Sequence, residues 1–342
     1  MVFLNIYDLT LEEMEEYFVS LSSGKFHATQ LFDFLYVKRV KDYDQVFGIK
    51  KEIINKLRED FSISRLKIVD IQKDVDVSKY LFELSDSEHV EAVLMRHDYG
   101  NSICISSQVG CNMGCKFCES GRRKKVRNLL VHEMVLQVLM IEEEIGERIS
   151  HVVVMGIGEP FDNYDNLVKF LKIVNNPKGL AIGSRHITVS TCGIIPKIEE
   201  FSNIGLQFNL AISLHAPNNE IRNKIMPINK VYPLEDLMVA LKKYFEKTNR
   251  RITFEYVLLE GVNDSLDDAR ELSNLVKGLN CYINLIPYNE TNNLGFKRSS
   301  TVQIMRFYDI LKKNGIGVTI RREFGGKISA ACGQLRSKKE GL

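Results

Sequence analysis

The chain has 342 residues, 44% of them hydrophobic, with 46 Lys and Arg against 44 Asp and Glu for a net charge of +2. At roughly 150 residues per domain this is about two folded units, and it excludes a disordered chain or a uniformly basic nucleic-acid coat. The seven cysteines are too few and too unevenly numbered for a secreted disulfide framework.

The first segment carries helical periodicity. Leu9, Leu11, Met14, Phe18 and Leu21 make one apolar face; Leu31, Phe34, Leu35 and Val37 a second; Ile53, Ile54, Leu57 and Phe61 a third. Three short helices over residues 1–62 predict a small accessory domain. The runs LKIVDI, KYLFEL and VEAVLM follow and predict a short β-strand connector over 63–96.

From about residue 97 the runs SICISS, HVVVMG, HITVST, QFNLAISLH, RITFEYVLLE, CYINLIPY and GVTIRR alternate with helical patterns at 131–146, 233–247, 267–278 and 301–314. Several runs are β-branched without alternation, as in strands buried on both faces. This order predicts an α/β fold with a parallel sheet, its chemistry on loops at the C-terminal strand ends. The N-terminus shows no basic stretch leading into an apolar one, and no run approaches the ~18 apolar residues that span a bilayer. The expectation is a cytoplasmic protein with no membrane contact, whose clustered cysteines bind metal or react.

Such a cluster follows SICISS. Cys111, Cys115 and Cys118 in QVGCNMGCKFCESG have the spacing C-x3-C-x2-C, which lets three thiolates converge on one small object. Cubane iron–sulfur clusters usually take four cysteines, so three would leave one iron open to a small molecule. Zinc completed by a distant ligand fits the same spacing. Farther on, GIGEP forms a glycine-rich turn after HVVVM, in which Glu159 can accept from an ammonium.

C-x3-C-x2-C after the first strand of an α/β barrel resembles the radical S-adenosylmethionine superfamily. The motifs CISSQVGCNMGCKFC, VMGIGEP, STCGIIP, SLHAPN, MPIN, GVND, NLIPYN and AACGQL look, in that order, like the RlmN/Cfr family of RNA adenine methyltransferases. The resemblance implies a partial (β/α)6 barrel over 97–327 and a C-terminal segment, 328–342, carrying a methyl-accepting cysteine. It implies a [4Fe-4S] cluster on Cys111, Cys115 and Cys118, and two S-adenosylmethionine molecules per turnover, one the methyl donor and one the radical source. Gly158 and Glu159, with Ser190, Ser213, Leu214, His215 and Asn289, match the family's positions for that cofactor.

The implied chemistry suits an electron-poor ring carbon. Adenine C2 and C8 do not attack a sulfonium methyl, whereas a carbon radical adds to them. Cys332 matches the cysteine that carries the methyl group, from which the 5′-deoxyadenosyl radical would take a hydrogen. Cys104 matches the resolving cysteine that pairs with Cys332 in a transient disulfide. Glu91 matches the base that removes the ring proton. Read from the residues alone, Cys104 and Glu91 would be ordinary strand positions, and Cys192 and Cys281 are read as core thiols. The expected partners are 23S rRNA, with tRNA as a further substrate, and an electron donor such as flavodoxin or ferredoxin, the protein being a monomer.

Two stretches depart from the family pattern. ESGRRKKVR stands where the family carries a stretch like ATGxxGFxR, and KIS replaces an acidic triplet before AACGQL. Arg122, Arg123, Lys124, Lys125 and Arg127 form the densest basic run, a candidate phosphate contact, with Arg250 and Arg251 a weaker one. SLHAPNNEIR, NLIPYN and TIRREFG resemble the RlmN branch more than the Cfr branch, and that resemblance implies C2 rather than C8. The alternatives are a C8 enzyme of the Cfr type and a non-catalytic iron–sulfur RNA-binding paralogue.

Overall fold

The structure, a computed structural model, describes residues 4–291, 294–321, 328, 330 and 333–335. The expected helices form as α1 (Leu11–Ser20), α2 (Lys25–Tyr36) and α3 (Lys51–Asp60). Thr10 caps α1 through a reciprocal pair with Glu13, satisfying two orphan amides at once. The apolar faces bury Met14, Phe18, Leu31, Phe34, Leu35, Ile53, Ile54 and Leu57, while Val37 is exposed. Their core is continuous with that of the main sheet. Asp8 with His132, Arg39 with Glu142 and Arg65 with Glu143 tie this unit to the helix α4 (Val131–Ile145).

Ten strands form the main sheet in chain order. These are β1 (Lys67–Lys73), β2 (Val77–Glu83), β3 (His89–His97), β4 (Gly100–Cys104), β5 (Ile149–Val154), β6 (Ile187–Thr191), β7 (Asn209–Ser213), β8 (Ile252–Leu258), β9 (Cys281–Pro287) and β10 (Gly317–Ile320). From β4 to β10 every pairing is parallel. Their crossovers include α4, α5 (Tyr164–Asn175), α6 (Ile195–Phe201), α7 (Asn219–Ile225), α8 (Leu234–Thr248), α9 (Leu266–Leu275) and α10 (Thr301–Lys313). The β-branched runs are buried because helices cover the outer face and side chains fill the inner one.

The strands read as a connector do more than connect. β1, β2 and β3 pair antiparallel with one another, and β3 pairs antiparallel with β4, so they extend the barrel sheet itself. That continuity brings β3 residues beside the end of β4. Among the described residues no helix is long and apolar enough to cross a membrane.

Candidate active site

A cleft of about 1070 Å³ opens at the C-terminal strand ends. Val154 of β5, Thr191 of β6, Ser213 of β7, Val257 of β8 and Ile286 of β9 all line it, so the sheet wraps around it. Cys111, Cys115 and Cys118 share one wall with Met113 and Phe117. Their loop is fixed by its backbone: Cys111 N–H donates to the Arg123 carbonyl at 2.9 Å and Lys116 N–H to that of Ile225 at 2.9 Å. Gly110, at φ +74°, makes the turn possible, because a Cβ there would meet the Lys124 carbonyl oxygen at 2.4 Å.

Burial pushes the Cys111 thiol up to about 12 and raises those of Cys115 and Cys118 as well. Loading such thiols with metal must therefore release protons. Among the described residues no group of three or more His, Cys, Asp or Glu is gathered to hold a single metal ion. Three thiols spread along one wall suit separate irons of a cubane, with the cleft in front of them for a ligand.

The GIGEP turn lies across from the cysteine loop. Gly158 has φ +109°, and a Cβ there would meet Gln108 Cβ at 2.6 Å. Glu159 N–H donates to Gln108 Oε1 at 2.9 Å. The Glu159 carboxyl is buried, which pushes its pKa up. Both of its oxygens are engaged, Oε1 by Phe161 N–H at 3.0 Å and Oε2 by Cys192 N–H at 2.8 Å. Its first task is thus to pin the loops after β5 and β6 together; any ammonium would use its remaining lone pairs.

Ser190, Ser213, His215 and Asn289 line the same cleft, but Leu214 does not: its side chain belongs to the main core. His215 is fully specified. It has φ +56°, and its Nδ1 accepts from Val257 N–H at 3.0 Å. Its carbonyl accepts from Asn263 Nδ2 at 2.7 Å. Burial pushes its pKa down to about 3. It is therefore neutral at physiological pH, with its proton on Nε2 as a donor. Cys192 is buried as expected of a core thiol, yet it also faces the cleft, whereas Cys281 begins β9 at the opposite strand ends.

Glu91 and Cys104 lie on the inner face of the sheet beside the cleft. Val93 opposes Cys104 across β3 and β4, and Glu91 is two residues from Val93, so the two share a face. Lys79 of β2 opposes Val93 on that face, and its Nζ is 3.2 Å from Glu91 Oε1, both side chains being buried. Cys332 lies outside the described residues. Its described neighbours Ala330 and Leu335 pack with Val93, Val153, Ile157 and Cys104 in one apolar cluster. Glu119 N–H donates to the Gly333 carbonyl at 2.8 Å, and Ser120 Oγ to that of Leu335 at 3.0 Å. Residues directly after Cys118 thus clasp the C-terminal segment.

The basic run is largely neutralised within the protein. Arg122 pairs with Glu119, Arg123 with Glu88, Lys125 with Asp162, and Arg127 with both Asp86 and Glu133. Lys124 is exposed and has no ion pair among the described residues. Arg250 and Arg251 precede β8, at the strand ends away from the cleft. Most of the positive charge at 122–127 is thus paired with acidic residues of the protein itself.

Sequence reasoning missed Arg222 of α7, which is fully buried. Its guanidinium donates to the carbonyls of Leu214 (3.1 Å), Cys192 (2.7 Å) and Ser213 (3.2 Å) and to Asn229 Oδ1 (2.9 Å). Burial pushes its pKa down to about 10, still charged at neutral pH. It fixes the loops after β6 and β7, and so the cleft wall. Arg222→Met would leave three carbonyls unpaired. The expected loss is about 3 kcal/mol or more, read by denaturant unfolding of the cluster-free protein. A loss under about 1 kcal/mol would mean that solvent replaces these bonds.

An open cysteine triad facing a ligand-sized cleft at the mouth of a parallel barrel defines a radical S-adenosylmethionine enzyme. Residues 105–273 match the family model described as the radical SAM superfamily, and residues 4–63 match that of the ribosomal RNA large subunit methyltransferase N-terminal domain. The probable dual-specificity RNA methyltransferase RlmN of Caldanaerobacter subterraneus subsp. tengcongensis is 54% identical, over 98% of this chain and 99% of its own length. That of Enterococcus faecalis is 52% identical, over 98% and 96%. The crystal structure of a radical SAM methyltransferase from Sphaerobacter thermophilus superposes with a TM-score of 0.92 at 40% identity, covering 98% of this chain and all of that one. The chain belongs to the RlmN family of radical SAM RNA methyltransferases. Its cofactors are accordingly a [4Fe-4S] cluster and S-adenosylmethionine.

Proposed function

We propose that this enzyme methylates C2 of an adenine in 23S rRNA, and in tRNA, through an S-methylcysteine on Cys332. The cluster and S-adenosylmethionine, held by Cys111, Cys115 and Cys118 and by the polar residues of the cleft, supply the methyl group and carbon-radical chemistry. Cys332 carries the methyl group as a thioether and joins its carbon to the base. Glu91 takes the ring proton. The Cys104 thiol then bonds through sulfur to that of Cys332 as the carbon–sulfur bond breaks; its proton ends on the freed carbon, so the methylated adenine leaves and the two cysteines remain as a disulfide.

The observation that carries this reading is the C-terminal segment. Gly333 and Leu335 line the cofactor cleft, while Ala330 and Leu335 pack against Cys104. The chain on both sides of Cys332 therefore runs between the two sites that the chemistry must join. Lys79 Nζ, buried with Glu91 and 3.2 Å from its Oε1, fixes where that carboxyl group lies. A monomer in the cytoplasm, reduced by flavodoxin or ferredoxin, completes the proposal.

Mass spectrometry of nucleosides from RNA treated with the reconstituted enzyme tests it. The expected product is 2-methyladenosine; 8-methyladenosine would assign the chain to C8 chemistry and overturn the C2 reading.

A further inference from the structure

Lys79 and Glu91 place two opposite charges on a face that is otherwise mostly apolar. In register, β2 sets Val77, Lys79 and Leu81 on the inner face against Met95, Val93 and Glu91 of β3. Lys79 and Glu91 are thus diagonal neighbours, close enough for a long side chain to bridge. Val77, Val93 and Met95 belong to the apolar cluster that holds Ala330 and Leu335, with Cys104 packed against it. The Lys79 and Glu91 side chains are only 7% and 5% exposed, and Nζ lies 3.2 Å from Oε1.

Stability does not account for this pair. Two charges taken out of water lose hydration that their attraction barely offsets, and apolar side chains of similar volume would fill such a site as well or better. Nor does the pair join the strands, which are already held by a continuous antiparallel register from Val77–Met95 to Glu83–His89. What the pair does is complete the fixing of Glu91. Ser106 Oγ donates to the Glu91 carbonyl at 2.6 Å and accepts from Ile157 N–H at 3.0 Å. The Glu91 backbone is thereby tied to the GIGEP turn of the cleft. The freedom left is the swing of its side chain, and Lys79 removes it. A base must come within hydrogen-bond reach of the proton it takes. A misplacement of about 1 Å can slow such a step roughly 10²-fold.

Taking Glu91 as the base, we propose that Lys79 is its positioning residue: the ammonium holds the Glu91 carboxyl where the RNA-linked adenine presents its ring hydrogen. In that step the proton passes to a Glu91 oxygen and the carbon–hydrogen bonding pair stays on the ring. Methylation of Cys332 and formation of its link to the base come earlier and do not use the carboxyl. Lys79 therefore matters after the link has formed.

Single-turnover reactions of the cluster-loaded protein with RNA, reductant and S-adenosylmethionine test this, with 5′-deoxyadenosine, Cys332 methylation and the covalent RNA–protein species read in one sample. Lys79→Met is expected to keep the first two within about twofold of wild type and to clear the covalent species roughly 10²-fold more slowly. Glu91→Gln is expected to stall at the same species. Deuterium on the ring carbon should slow clearance in Lys79→Met further, which a merely structural role would not produce. Lys79→Arg keeps a cation beside the carboxyl and is expected to restore part of the clearance rate; because it retains the ion pair, it also decides the matter where Lys79→Met does not fold. Wild-type clearance in every Lys79 variant that folds, or equal losses in all three readouts, would overturn the proposal. Free turnover by Glu91→Gln would overturn the assignment of the base and this proposal with it, whereas a stalled Glu91→Gln beside unaffected Lys79 variants overturns the proposal alone.

Discussion

Cys115→Ala protein, reconstituted with iron and sulfide without oxygen, is expected to hold no stable cubane cluster and to methylate RNA at least ~10³-fold more slowly than wild type, because nothing else in the site approaches an enzymatic acceleration of this size. The three thiols share a wall with apolar Met113 and Phe117. A fourth thiol, Cys192, faces the same cleft but is fully buried behind it, and its pKa is raised by burial and by the neighbouring Glu159 carboxyl. It gives the internal control: Cys192→Ala is expected to keep its iron. Iron content per chain and the cluster's visible absorbance check both variants. Wild-type iron in Cys115→Ala would remove Cys115 from the ligand set, and stable zinc without iron in the wild-type protein would remove the cluster.

The outline of this site was legible because its ligands are close in sequence. C-x3-C-x2-C and GIGEP each occupy one loop after a strand, and the unbroken β-branched run HVVV before GIGEP marks burial on both faces. What the sequence did not show depends on register between distant strands. Lys79 meets Glu91 because β2 and β3 pair so that both residues share the inner face. Arg222 is one arginine in a seven-residue helix, and its partners are mainly backbone carbonyls, which leave no trace in composition.

The pairing of the basic run was hidden for a related reason. Its positive charge is local in sequence, whereas much of the balancing acid, Asp86, Glu88 and Asp162, comes from other elements. Charge counted along a chain overstates charge presented to a phosphate. The replacement of a small residue by Glu119 is resolved in the same terms. Its carboxylate pairs with Arg122 while its backbone amide holds Gly333. The divergence thus falls on the clasp of the C-terminal segment.

That clasp makes the Cys104→Ala variant the most informative test of the proposed release step. With RNA, reductant and S-adenosylmethionine, it is expected to complete less than one turnover per chain and to accumulate a covalent RNA–protein species. On a denaturing gel this species should run above the free protein and collapse on nuclease digestion. In the proposed route the carbon–sulfur bond breaks as a second thiol bonds to the Cys332 sulfur. Cys104, which packs with Ala330 and Leu335, is the thiol proposed for that task. Alanine removes the sulfur and leaves a small apolar side chain in the same cluster, so the methyl-carrying segment should still dock. Cys332→Ala should form no cross-link, because the sulfur that carries the linking carbon is gone. Multiple turnovers by Cys104→Ala, with no cross-link at any time, would show that another thiol or solvent releases the product and would take Cys104 out of the mechanism.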